Sequence, residues 1–178
     1  MRRRPANGVD GIIACICEGS SEAAILDILI DHELLCFSRT QMLDEKVLRC
    51  RSAEKFENNY LRKGFHQEIT VVRVLDSRRE NFRLRKEYQS KVKVINIVTA
   101  PEIEMLIILN EDKYEEYCKS HKKPSDFCKE NLRMKDVKSY RFVREYFTDP
   151  GHLVSAIRKY QKISNRPKDE STLMDLLQ

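Results

Sequence analysis

The chain has 178 residues, 41% of them hydrophobic and 34% charged, with a formal net charge of +5. That length suits one domain, or one domain with a helical appendage, around a modest apolar core. No apolar run approaches the ~20 residues of a membrane span, so a cytoplasmic protein with no membrane partner is expected.

Residues 1–10 read as a flexible basic arm. Met1-Arg-Arg-Arg4 has the charge of a signal-peptide start, but the apolar run that follows is brief and breaks into Glu18. Ile12 to Cys17 is that run, short enough for a strand buried on both faces. It stops at Glu18-Gly19, and a helical pattern follows from Ala23 to Leu35. Ile25, Ile28, Leu29 and Leu35 share one face of it, with Asp27 and Asp31 opposite. Strand, carboxylate, glycine turn and helix make a βα unit, and open α/β sheets bind ligands at the carboxyl ends of their strands.

A short strand is predicted around Met42 to Leu48. Ser52 can then cap a helix carrying Phe56, Tyr60 and Leu61, stopped at Lys63-Gly64. Ile69 to Leu75 is a β-branched strand that runs into Asp76, and Val92 to Val98 is a further strand. Thr99 and Glu102 have capping-box spacing, with Pro101 tolerated in the first turn of the apolar helix Ile103 to Leu109. From 111 to 163 the texture is of short amphipathic helices packed on the core, and 164–178 reads as an extra helix or a loose tail. Strands alternating with helices predict an α/β fold with a mostly parallel sheet and a helical C-terminal extension.

Three carboxylates stand out by context. Glu18 and Asp76 each end a buried strand. If those strands are neighbours, both side chains emerge at one sheet edge, a setting that suits a hard cation such as Mg2+. Glu104 is the only charge within an apolar helix and needs a metal, an arginine or a mouth to solvent. Glu22 reads first as a complement to the dipole of the helix it opens and Glu102 as a capping-box partner, with membership of the acidic site the alternative for each. Arg78, Arg79, Arg83 and Arg85 follow Asp76 directly, with Phe82 and Tyr88 interleaved as possible base-stacking groups. The alternative for such a run is a solvated face. The cysteines contain no C-x-x-C pair, which argues against zinc and a disulfide framework; Cys15 and Cys17 read as small hydrophobes on one strand.

Cys17-Glu-Gly-Ser-Ser-Glu22, Val74-Leu-Asp-Ser-Arg78 and Thr99-Ala-Pro-Glu-Ile-Glu104, in that order, resemble the motifs of the TOPRIM superfamily. Within it, the chain is similar to the small RloB-like proteins of prokaryotic restriction and phage-defence neighbourhoods. The resemblance covers Gly11 to about Leu109. It implies a TOPRIM-like core over 11–110 and a Mg2+- or Mn2+-dependent phosphoryl-transfer site, most often used on a nucleic-acid backbone. On that reading the protein is a nuclease or related phosphodiester-acting protein in defence against phage, with a larger partner encoded alongside. Glu18 would be a metal ligand or acid-base group, Asp76 a metal ligand, and Glu104 a further member of the site. Arg78 stands where the superfamily has a second aspartate. It either neutralises a phosphate or pairs with Glu18 or Glu104 and closes the site. The alternative function is therefore a degenerate TOPRIM-like module that binds nucleic acid or a partner protein.

Overall fold

The computed structural model describes Val9 and residues 11–62, 67–79, 81–167 and 169–178. Apart from the buried Val9, the basic arm lies outside the described residues, and so does the Lys63-Gly64 stop.

The β-branched runs become strands with the bounds their composition suggests: β1 Ile12–Cys17 is followed by helix α1, Ser20–Asp31. Two single turns, Arg39–Gln41 and Leu43–Glu45, lead to the short β2, Leu48–Arg49. Helix α2, Ala53–Phe56, runs on as a wider π-type turn over Glu57–Leu61. Then come β3 Ile69–Leu75, α3 Lys86–Gln89 and β4 Val92–Val98. The remainder is helical: α4 Met105–Asn110, α5 Tyr114–Ser120, α6 Pro124–Glu130, α7 Tyr140–Tyr146 and α8 Pro150–Ile163.

The four strands form one all-parallel sheet in the order β2-β1-β3-β4, flanked by helices. The fold is α/β. Side chains alternate between the two faces, as the pleat requires. Ile13, Cys15, Cys17, Val72, Val74 and Ile97 point into the larger core, shared with α1, α4 and the C-terminal helices. Ala14, Ile16, Ile69 and Val71 point the other way, against Phe56 and Leu84. Burial on both faces explains why β1 reads as an unbroken apolar run. It also pushes the Cys17 thiol up to about 12, with neighbouring Glu22 adding to the effect.

Three expectations are corrected. The strand expected around Met42 to Leu48 is mostly turn: Asp44 and Glu45 have φ of 55° and 50°, which a strand cannot accommodate, so Met42 makes an isolated bridge to Ile13 and only Leu48 and Arg49 form a strand on β1. The capping box at Thr99 and Glu102 does not form. The Thr99 hydroxyl donates instead to the Leu75 carbonyl at 3.0 Å, and α4 begins only at Met105 with Glu104 at its N-cap. The segment 164–178 is neither an extra α-helix nor loose. The Val98 amide donates to the Ser171 carbonyl at 2.9 Å and the Cys36 amide to the Leu176 carbonyl at 2.8 Å, while Leu173 and Leu176 are buried in the larger core.

Candidate functional site

The order β2-β1-β3-β4 places β1 and β3 side by side, with the chain crossing to opposite sides of β1 to reach β2 and β3. This is the topological switch point at which doubly wound sheets bind ligands. Cys17 stands beside Val74 in the register, so Glu18 and Asp76, which follow directly on β1 and β3, emerge together at that edge. A pocket of about 380 Å³ opens there. Glu18, Glu22, Asp76 and Glu104 line it, together with Arg51 and Lys138. Four carboxylates thus face two cations.

The turn after β1 is built around Gly19. It is the N-cap of α1, and Glu22, three residues on, folds its carboxylate back over it. A β-carbon at Gly19 would lie 1.9 Å from Glu22 Oε2. Only glycine leaves room for that carboxylate at the positive end of the helix. Burial raises the Glu22 pKa, and the charge of Asp76 raises it further, against the pull of its own backbone amide, Lys138 and the Ser21 hydroxyl. Glu22 is therefore part of the acidic site. Its role at the helix N-terminus is real but does not exhaust its position.

Ser21 joins this turn to the third strand-end. Its hydroxyl donates to Glu104 Oε1 at 2.9 Å, and Glu104 is 3% exposed. Burial raises the Glu104 pKa and neighbouring Glu102 adds to it, while its own amide, Ser21 and Lys138 oppose the shift. Glu102 looks elsewhere. It accepts from the Ser125 amide and from Lys138 Nζ, each at 2.9 Å, so it caps α6 rather than α4. Although burial works against ionisation, those donors hold its carboxyl below the ordinary glutamate range.

Two arginines at the end of β2 and just beyond it hold the Glu18 turn from the other side. Arg49 donates to Ser20 Oγ and to the Glu18 carbonyl, both at 3.0 Å, and Arg51 Nε donates to Glu18 Oε2 at 2.8 Å. The basic run after Asp76 does not line the pocket. Arg78 pairs with neither Glu18 nor Glu104: its guanidinium forks onto Glu170 at 2.5 and 2.8 Å, because the C-terminal segment folds back beside β4. Arg85 is spent on the buried Glu57, which accepts from its backbone amide at 2.6 Å and pairs with its Nε at 3.2 Å. Arg79 and Arg83 are exposed. Phe82 does not present its ring for base stacking. The buried guanidinium of Arg73 lies 4.4 Å from its centroid and Phe56 packs beside it, while Tyr88 leans on the same apolar cluster.

Among the described residues, no three His, Cys, Asp or Glu are grouped so as to hold a metal ion by themselves. The donor set is nonetheless all carboxylate oxygen, and the upward shifts of Glu22 and Glu104 mark a place where added positive charge would be welcome. That fits a hard divalent ion held by two carboxylates and otherwise by water and substrate oxygens. The sequence points to Glu18 and Asp76 because each ends a strand, and to Glu104 because it is the only charge in an apolar run. It gives no comparable signal for Arg51 or Lys138, whose places depend on what packs against them, while Glu22, the last residue of the Glu-Gly-x-x-Glu motif, is legible as either a helix-dipole partner or a site member. Comparison with protein-family models, with characterised proteins and with solved structures finds no match.

Proposed function

We propose that this chain is a TOPRIM-like, Mg2+- or Mn2+-dependent protein acting on phosphodiester bonds of nucleic acid, with Glu18 and Asp76 as the metal ligands. The observation that carries the reading is the convergence of four carboxylates on one pocket at the sheet's switch point. A bound ion would supply charge neutralisation at a phosphoryl oxygen and activation of a water. Glu104, whose pKa is raised, keeps its proton to higher pH than an ordinary glutamate and suits general-acid work on the leaving oxygen. Ser21 fixes the orientation of that carboxyl. A cytoplasmic role in defence against phage, beside a larger protein encoded alongside, belongs to the same proposal.

The Arg51–Glu18 ion pair favours a second reading, in which the protein's own cations neutralise the acids and the edge binds nucleic acid or a partner without cleaving. Labelled oligonucleotides with Mg2+ or Mn2+ separate the two. Cleavage that is abolished by Glu18→Gln and by Asp76→Asn, each leaving thermal unfolding unchanged or slightly raised, supports the enzyme. Ion binding itself is measurable: 10 mM Mg2+ at a Kd of about 1 mM stabilises by roughly 1.4 kcal/mol. A wild-type melting temperature that does not respond to either ion sinks the metal site.

A further inference from the structure

The cations that the sequence offers to a nucleic acid are largely committed elsewhere. Arg78 is held by Glu170 and Arg85 by Glu57, and neither lines the acidic pocket. A phosphodiester entering that pocket meets two other cations. Arg51 stands on its β2 side and Lys138 on the side of the helical layer, just ahead of α7.

Each is held in place yet keeps donors to spare. The Cys50 amide donates to the Cys17 carbonyl at 3.2 Å, extending the ladder past β2 and fixing Arg51 beside Glu18. Only Nε of Arg51 is engaged, so both terminal nitrogens make no hydrogen bond to a described residue, and the side chain is 77% exposed. A guanidinium anchored through Nε presents the planar fork that matches two oxygens of a phosphate. Lys138 follows the buried Val137 and precedes Ser139, whose hydroxyl caps α7. Its ammonium has three donors, one of which goes to Glu102, and the side chain is 53% exposed. Burial works against its charge, but the bond to Glu102 and the charges of Glu104 and Asp76 raise its pKa, so it stays cationic beside the acids.

We propose that Arg51 and Lys138 are the phosphate-contacting pair of this site. A nucleic-acid strand runs across the pocket mouth, with one phosphate on the Arg51 fork and a phosphate on Lys138. The acidic pocket alone would repel the strand; these two cations offset that repulsion on either side of Glu18 and Asp76. The proposal rests on the reading of the site as phosphodiester-binding.

The test is fluorescence anisotropy of labelled single-stranded and duplex oligonucleotides with the full chain, in Ca2+, across a series of NaCl concentrations. Arg51→Gln and Lys138→Gln should each flatten the log affinity against log salt slope by about 0.7 on single strands or 0.9 on duplex. Arg51→Lys should keep the slope and lose roughly tenfold in affinity through loss of the fork, a difference of about 1.4 kcal/mol. Melting curves establish that each variant is folded.

An unchanged slope in Arg51→Gln overturns the proposal. So does flattening in Arg79→Ser with Arg83→Ser and none at Arg51, and so does a wild type that binds neither form of strand. Displacement by micromolar inorganic phosphate overturns the strand in favour of a small phosphate ligand. Flattened slopes without cleavage under any divalent ion would sink the enzyme and leave this pair standing. Cleavage abolished by Glu18→Gln with slopes unmoved at Arg51 would do the reverse.

Discussion

Glu104→Gln isolates what a buried carboxyl costs the fold. The substitution keeps volume and shape, and the amide oxygen can still accept from Ser21 Oγ, now 2.9 Å from Oε1. It removes the charge from a residue that is 3% exposed. Burial, then Glu102, raises the folded-state pKa above the unfolded value of about 4.3. Between those two values the folded state binds more protons than the unfolded one, so stability falls as pH rises through the window. Above it the penalty is complete; below about pH 4.3 it is absent, since both states are protonated.

Removing a charge whose ionisation the fold disfavours should therefore stabilise the protein at pH 7. For a chain of this size each kcal/mol gained raises the melting temperature by roughly 2–4 °C. Urea midpoints of wild type and variant from pH 4 to pH 8 measure it. The gain should shrink towards zero at the acid end, and activity should be lost at every pH. A variant less stable than wild type at pH 7 would mean that Glu104 is held in a net favourable ion pair, with Lys138 the cation at hand. A gain that persists undiminished at pH 4 would refute the linkage argument.

Gly19→Ala should cost about 1 kcal/mol, because the new β-carbon displaces the Glu22 carboxylate from the helix N-terminus. In a Glu22→Ala background the same change should be neutral or stabilising by about 0.4–1 kcal/mol, since φ −93° and ψ 165° suit alanine; equal effects in both backgrounds would refute the coupling. Leu176→Ala should destabilise by about 2–5 kcal/mol, because Leu176 is fully buried in the segment that pairs with Cys36. A urea midpoint unchanged from wild type would return 164–178 to the status of a loose tail.

What the sequence reveals and hides divides along contact range. β1, β3 and β4 are legible to the residue because a run of β-branched and apolar side chains is a local property, and so is the acid that ends it. Thus Glu18 and Asp76 can be found without knowing the fold. The start of α1 is misjudged by three residues, since it turns on Glu22 folding back over Gly19, a packing event. Thr99 and Glu102 have the spacing of a capping box, yet their better partners lie 24 and 23 residues away, at the Leu75 carbonyl and the Ser125 amide. Charge counting fails in the same way for the basic run. Nothing near Arg78 announces Glu170, 92 residues on, and nothing near Arg85 announces Glu57.

The change of texture at residue 110 has a similar limit. Short amphipathic helices after a strand-rich half suggest an appendage, but the apolar faces of those helices close on the sheet. Phe127, Val143, Phe147, Leu153 and Ile157 belong to one continuous cluster with Ile13, Ile25 and Leu106. α8 packs on α4 and α7 on α1, so both helices that open at the acidic pocket are backed by the C-terminal half. The same half supplies Lys138 to the pocket and the Ser125 amide to Glu102, two residues before Glu104. The Tyr160 hydroxyl donates to the Ala100 carbonyl in the loop leading to that glutamate. Removing residues 111–178 would expose the apolar outer faces of α1 and α4 and strip Glu102 of both its donors. The four carboxylates all lie before residue 111; the geometry that makes them one site does not.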